Sequence, residues 1–228
     1  MRNFIFTILL FAGLVPPILA QDISGAYLAE NNGTKHLLLI TDGYITHSTY
    51  SNDTYMSTQG GTYSLGDKQL IVQCEFDDKA ADNIGKSHTF SLEIANNALI
   101  LDGTTFQKQA KKAQGLDGLW RITGRKTNDN MQTIQRGDRK TIKILIDGYF
   151  QWIAINPAEK GFYGTGGGHY EFSNGKYQEN ILFFSRDNSR VGASLNFDGK
   201  IENEQWHHSG KSSKGDPIYE IWSRDNKK

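Results

Sequence analysis

A carboxylate, a phenol, a carboxamide, an indole and an imidazole stand in the second half of this 228-residue chain: Glu179, Tyr170, Gln151, Trp206 and His208. A pocket for a small amphipathic molecule needs aromatic walls and a few convergent polar groups, and these five side chains supply both. Glu179 and His208 are also the acid and base types that a hydrolase or isomerase uses. Each residue has a plain structural reading beside the functional one. Glu179 can be held by a Tyr170 hydrogen bond inside a core, Trp206 can be packing, and His208 can be a satisfied core histidine.

Other motifs carry less chemistry. "YGTGGGHYEF" (163–172) holds Gly164, Gly166, Gly167 and Gly168, a composition that suits a phosphate cradle. Such a cradle needs a helix after the glycines, whereas Gly168 is followed by "HYEFSNGKYQEN", which reads as strand, Asn-Gly turn and strand. His169 breaks the GxGxxG spacing, so the glycines are read as a bend at a barrel corner. His207 and His208 are adjacent on a strand and point to opposite faces, so they do not chelate one ion together. No HExxH or paired-cysteine pattern occurs, and neither a metal nor a cofactor is expected. No GxSxG elbow supports a Ser-His-Asp triad. "RDNSR" (186–190) reads as a solvated loop at a barrel mouth rather than an anion clamp, and the single cysteine, Cys74, as a buried inert thiol.

The elements that must position these side chains are strands. Period-2 alternation runs almost throughout, punctuated by Asp42-Gly43, Asn96-Asn97, Asp102-Gly103, Asp147-Gly148, Asn174-Gly175 and Asp198-Gly199, pairs that tolerate the positive φ of tight hairpins. The halves repeat. "LLLITDGYI" (37–45) matches "IKILIDGYF" (142–150) at a shift of 105, and "QGGTYSLGDKQLIVQCEF" (59–76) matches "GGGHYEFSNGKYQENILF" (166–183) at 107. "SGAY" (24–27) matches "DGLW" (117–120). A repeat of this length is a domain duplication. Strands in the second half are expected near 118–123, 140–146, 149–155, 164–172, 176–185, 191–197, 200–208 and 217–224. The fold class is therefore all-β: two tandem eight-stranded antiparallel up-and-down barrels, 21–107 and 116–228, joined by a linker over 108–115.

The repeat assigns faces. Leu70, Val72, Cys74 and Phe76 are the apolar face of their strand, and their counterparts are Tyr177, Glu179, Ile181 and Phe183. Glu179 thus points inward where the first half has Val72, and an Asn174-Gly175 turn sets Tyr170 across from it, with His169 outward. A turn at Asp198-Gly199 sends Trp206 and His208 inward and His207 outward. Around Asp147-Gly148, Ile142, Ile144 and Ile146 share the inner face with Gln151; Phe150, Trp152, Leu182 and Phe184 fall outside and are expected to form the contact between the halves. The first barrel reads as scaffold and the second as the carrier of the site. Glu179→Gln is accordingly expected to leave stability nearly unchanged while weakening ligand binding.

The Gly118-Leu119-Trp120 opening, "DGYFQW", "GTGGGHYEF" and "FFSRDNSRVGASLNFDGK" resemble the lipocalin-like domains of small secreted bacterial proteins, strongly over the second half and weakly over the first. That resemblance implies the barrel fold and little chemistry, since the group has no settled function; lipocalins proper hold small hydrophobic molecules in the lumen.

"MRNFIFTILLFAGLVPPILA" reads as a secretory leader cleaved after Ala20, its apolar run shorter than the roughly 20 residues of a membrane span. A periplasmic or secreted location follows as an expectation, with no integral membrane segment once the leader is removed. Twenty-five basic residues balance 25 acidic ones, which gives no pull toward nucleic acid. The expected function is binding of a small amphipathic molecule in the second barrel. Two alternatives stand beside it: a hydrolase or isomerase using Glu179 and His208, and a protein–protein module with filled barrels.

Overall fold

In the computed structural model, which describes residues 22–128, 130–212 and 214–225, hairpins follow one another along the chain. The expected leader lies outside the described residues. Strands β1 (Gly25–Asn31), β2 (Thr34–Thr41), β3 (Tyr44–Ser51), β4 (Thr54–Gly66), β5 (Gln69–Asp77), β6 (Ser87–Ala95), β7 (Ala98–Leu101) and β8 (Thr104–Lys108) pair in sequence order. Pairing of β1 with β8 closes them into a barrel. The second set is β9 (Gly118–Thr127), β10 (Asn130–Thr133), β11 (Lys140–Ile146), β12 (Tyr149–Asn156), β13 (Gly161–Ser173), β14 (Lys176–Phe184), β15 (Ser194–Glu202), β16 (Gln205–Lys211) and β17 (Pro217–Arg224). Here β17 returns to β9 and closes eight strands, while β10 pairs only with the far end of β9. The β10 hairpin is an element the sequence pattern does not announce, since Asn130–Thr133 is exposed throughout and shows no apolar alternation beyond the single Met131.

Five of the six expected turns are present; at Asp42-Gly43, for example, both central residues have positive φ (50° and 72°), as a tight hairpin requires. The sixth is not a turn. Asp198-Gly199 lies inside β15, paired with Ser209 and His208, and the chain reverses at Asn203-Glu204 instead. Gly199 is there for space: a Cβ on it would meet the Phe172 ring at 3.0 Å and the Trp206 ring at 3.3 Å. Because a two-residue turn at either place sets odd-numbered residues of β15 opposite even-numbered residues of β16, Trp206 and His208 are still buried, though not by the hairpin expected for them.

The glycine run marks a β-bulge. Gly168 pairs with Ile181 and Gly167 with Phe183, so β14 carries one extra residue between them. A Cβ on Gly168 would lie 1.9 Å from the Asn180 carbonyl oxygen, which only glycine avoids. The first barrel repeats the device, with Gly61 opposite Cys74, Gly60 opposite Phe76, and the same 1.9 Å approach of Gly61 to the Gln73 carbonyl. The extra residue flips every side chain beyond it to the other face. Ile181 therefore faces the lumen, Phe183 leaves it, and Phe184 turns in.

Phe76 and Phe183 leave their barrels to join a core between them. It contains Ala26, Leu37, Leu39 and Tyr44 from one half and Leu119, Ile142, Ile144, Ile153 and Ile155 from the other. Repeat partners sit on both sides of it (Ala26 and Leu119, Leu37 and Ile142, Leu39 and Ile144, Phe76 and Phe183), so the contact is two-fold in character, like an isologous dimer interface within one chain. The backbone states the same symmetry. Leu119 N donates to Asp42 at 2.9 Å, and its repeat partner Ala26 N donates to Asp147, the repeat partner of Asp42, at 3.4 Å.

This core corrects the expected faces of β11 and β12. Their pairing is as predicted, Ile144 opposite Gln151 and Ile142 opposite Ile153, but that face lies between the barrels and the opposite one is the lumen. Phe150, Trp152 and Phe184 are inside the second barrel and do not form the contact between the halves. Gln151, fully buried, donates to Thr58 Oγ1 of the first barrel at 2.9 Å and to Thr165 Oγ1 at 3.0 Å. It is an interface residue, not a lumen residue.

Candidate functional site

With the inner face of β11 reversed, Lys143 points into the second barrel. It is 4% exposed, and its Nζ donates to Glu179 Oε1 at 2.8 Å. Tyr177, two residues along β14 from Glu179 and hence on the same face, donates its hydroxyl to that same oxygen at 2.8 Å. Four rings surround the ammonium at 5.1–5.7 Å from their centroids: Phe150, Tyr177, Trp206 and Trp222. An ammonium packed on aromatic faces and paired with a carboxylate is a compensated buried charge. Burial and the Glu179 charge push the Tyr177 hydroxyl far above its ordinary range, so it acts as a donor.

A second polar unit comes from β16 and β17. His208 Nδ1 lies 3.4 Å from Glu220 Oε2, which also accepts from Trp222 Nε1 at 3.1 Å, and Arg125 stands 3.8 Å from the other Glu220 oxygen. Burial lowers the His208 pKa below its ordinary value, only partly opposed by the Glu220 bond, so the imidazole is neutral at neutral pH. Burial alone would raise the Glu220 carboxyl, but the His208 bond and the charges of Lys143 and Arg125 hold it below the usual range. Facing a carboxylate, Nδ1 carries the proton and Nε2 is left with a lone pair. His208 Nε2 is buried without a hydrogen-bond partner among the described residues, as is Trp206 Nε1. One is an acceptor and the other a donor.

Lys143, Glu179, His208, Glu220 and Trp222 border a cavity of about 630 Å³ with Trp152, Ile181, Phe184 and Leu195 along its walls. Glu179, Trp206 and His208, three of the five residues singled out from sequence, are thus brought together. Tyr170 does lie across from Glu179, and its ring packs 5.9 Å from Tyr177, but its hydroxyl bonds Asp117 and not Glu179. His208 takes Glu220 rather than Glu179 as its carboxylate partner.

Sequence reasoning passed over Lys143, Tyr177, Glu220 and Trp222. For Lys143 the signal was present. In the repeat it aligns with Leu38, as Glu179 aligns with Val72, so a complementary pair of charges replaces a pair of aliphatic residues. The same comparison sets Leu70 against Tyr177, Leu99 against Trp206 and Leu101 against His208. The first barrel is nonetheless not a filled scaffold. It encloses about 400 Å³ lined by Leu38, Val72, Phe90 and Phe106 with His47 and His88.

Eight antiparallel strands meandering around a closed lumen define the lipocalin-like barrel, and this chain carries two in tandem. No protein-family model matches the chain, and no curated protein matches it. Among solved structures it is similar to a lipocalin-like protein from Bacteroides uniformis, at 12% identity and a TM-score of 0.34, over 48% of this chain and 97% of that one.

Proposed function

We propose that the protein is an exported carrier that holds a small amphipathic molecule in its second barrel. One observation carries this reading. The lumen of the second barrel keeps a buried ion pair and a neutral histidine with an unpartnered Nε2 beside a large cavity, at positions where its twin folds with leucine and valine. An apolar pair meets the needs of folding, so the charged set is there for another purpose. Export rests on the leader-like first twenty residues and gives a periplasmic or secreted carrier.

The test is a thermal-shift screen of small metabolites against the parent and a Lys143→Leu/Glu179→Val variant, which rebuilds the first barrel's pair in the second. Ligands that raise the parent's Tm are expected to lose their effect on a variant that remains folded. Identical hits and shifts in both proteins would sink the assignment.

A further inference from the structure

The rim of the second cavity carries charge that the chain itself does not balance. Arg186, Asp187 and Arg190 reach it from the connection between β14 and β15, and Lys214 from that between β16 and β17. Each carboxylate bordering the cavity has a cation of its own: Glu179 has Lys143 at 2.8 Å, Asp187 has Arg190 at 3.2 Å, and Glu220 has Arg125 at 3.8 Å. Arg186 and Lys214 have no carboxylate partner among the described residues; the Arg186 guanidinium donates to the Tyr163 carbonyl. His208 inside is neutral. Two positive charges therefore stand in excess at the opening of a cavity whose walls are Phe184, Leu195 and Ile218. Low-dielectric walls focus such a field along the opening. The first barrel offers a contrast, because among the described residues the only charged one bordering its cavity is Asp102.

Resting on the carrier reading above, we infer that the ligand of the second barrel is an amphipathic organic anion. Its acidic group meets Arg186 and Lys214 at the rim. Its apolar body lies along Phe184, Leu195 and Ile218. A hydrogen-bond donor at its inner end meets the free lone pair of His208 Nε2. The "RDNSR" loop, read from sequence as merely solvated, then forms part of the anion site.

Two dyes with the same aromatic body test this: 8-anilinonaphthalene-1-sulfonate, an anion, and N-phenyl-1-naphthylamine, its neutral analogue. Fluorescence titrations are made with the full protein and with Leu195→Trp, which fills the lumen; Ile218→Trp serves if Leu195→Trp does not fold. The signal removed by the filling variant belongs to the second barrel. In that signal the anionic dye should bind at least tenfold more tightly than the neutral one. Arg186→Gln/Lys214→Gln should raise the Kd of the anionic dye about tenfold and leave that of the neutral dye unchanged. If the filling variants change neither dye, the lumen is not the binding site and the carrier reading fails together with this inference. If they abolish binding but the two dyes bind alike, or the rim variant affects neither, the carrier reading stands and the anion assignment is overturned.

Discussion

Lys143 changes what Glu179 is worth. A carboxylate held only by a tyrosine would tolerate conversion to the amide, but Glu179 is the counter-charge of an ammonium that is 4% exposed. Glu179→Gln should therefore destabilise the protein by about 3–5 kcal/mol, because it leaves that ammonium buried without its partner. The double variant Lys143→Leu/Glu179→Val should be neutral or more stable by about 1–4 kcal/mol. Urea unfolding of the three proteins measures both, and a Glu179→Gln midpoint equal to the parent's would show that the pair contributes nothing. A pH effect belongs to the same scale. In the first barrel, burial and the neighbouring His36 push the His47 pKa down from 6.5 to about 4, its Nε2 lying 3.2 Å from His36 Nδ1. The unfolded chain takes up the proton first, so stability is full above pH 6.5 and falls as pH drops toward 4. From pH 7 to pH 5 the loss from His47 is up to about 2 kcal/mol. His208, also lowered by burial, adds to it with the same sign. His47→Gln should shrink the fall in Tm over that interval; an undiminished fall would exclude His47 as its source.

At the scale of the element, the paired glycines set the register of β13 and β14, and with it which residues of β14 reach the lumen. Gly168→Ala would drive a methyl into the Asn180 carbonyl, so the bulge must open or the strands must part. The expected loss is about 3 kcal/mol or more, with altered near-ultraviolet circular dichroism as Phe183 and Phe184 lose their places. A methyl on Gly137 would meet nothing within 4 Å and its φ is not positive, so Gly137→Ala should change stability by less than about 0.5 kcal/mol. Equal effects of the two substitutions in a denaturation series would mean that the bulge is not a structural requirement.

For the whole molecule, the buried core between the barrels predicts coupled unfolding. Ile144, fully buried there, is placed so that Ile144→Asp sets an unpaired carboxylate against Leu37, Leu39 and Phe76. Calorimetry should then resolve two transitions where the parent shows one, and a single unshifted transition in the variant would argue against coupling through this face. The proposed division of the chain into 21–107 and 116–228 has its own check. Residues 110–113 are exposed and include Lys111 and Lys112, so brief trypsin treatment should cut there before it cuts any strand. A first cut inside β1–β8 would point to a different boundary.

Local pattern determined the strands, most of the turns, the duplication and the two barrels, because alternation, turn dipeptides and self-similarity are properties of neighbours in sequence. The repeat also singled out Glu179 against Val72, and Trp206 and His208 are buried as expected. Only the tertiary structure decided which face of β11 and β12 is the lumen. Both faces are buried, one by the barrel interior and one by the other barrel, and apolar alternation does not distinguish two kinds of interior. That ambiguity sent Gln151 to the wrong side and hid Lys143. The bulge at Gly167 and Gly168 added a flip that period-2 counting does not contain, moving Phe183 out and Phe184 in. Partner choice was likewise settled in three dimensions. Glu179 joins Lys143 and Tyr177, and His208 joins Glu220, because barrel closure brings β11, β14, β16 and β17 around one lumen from positions far apart in the chain.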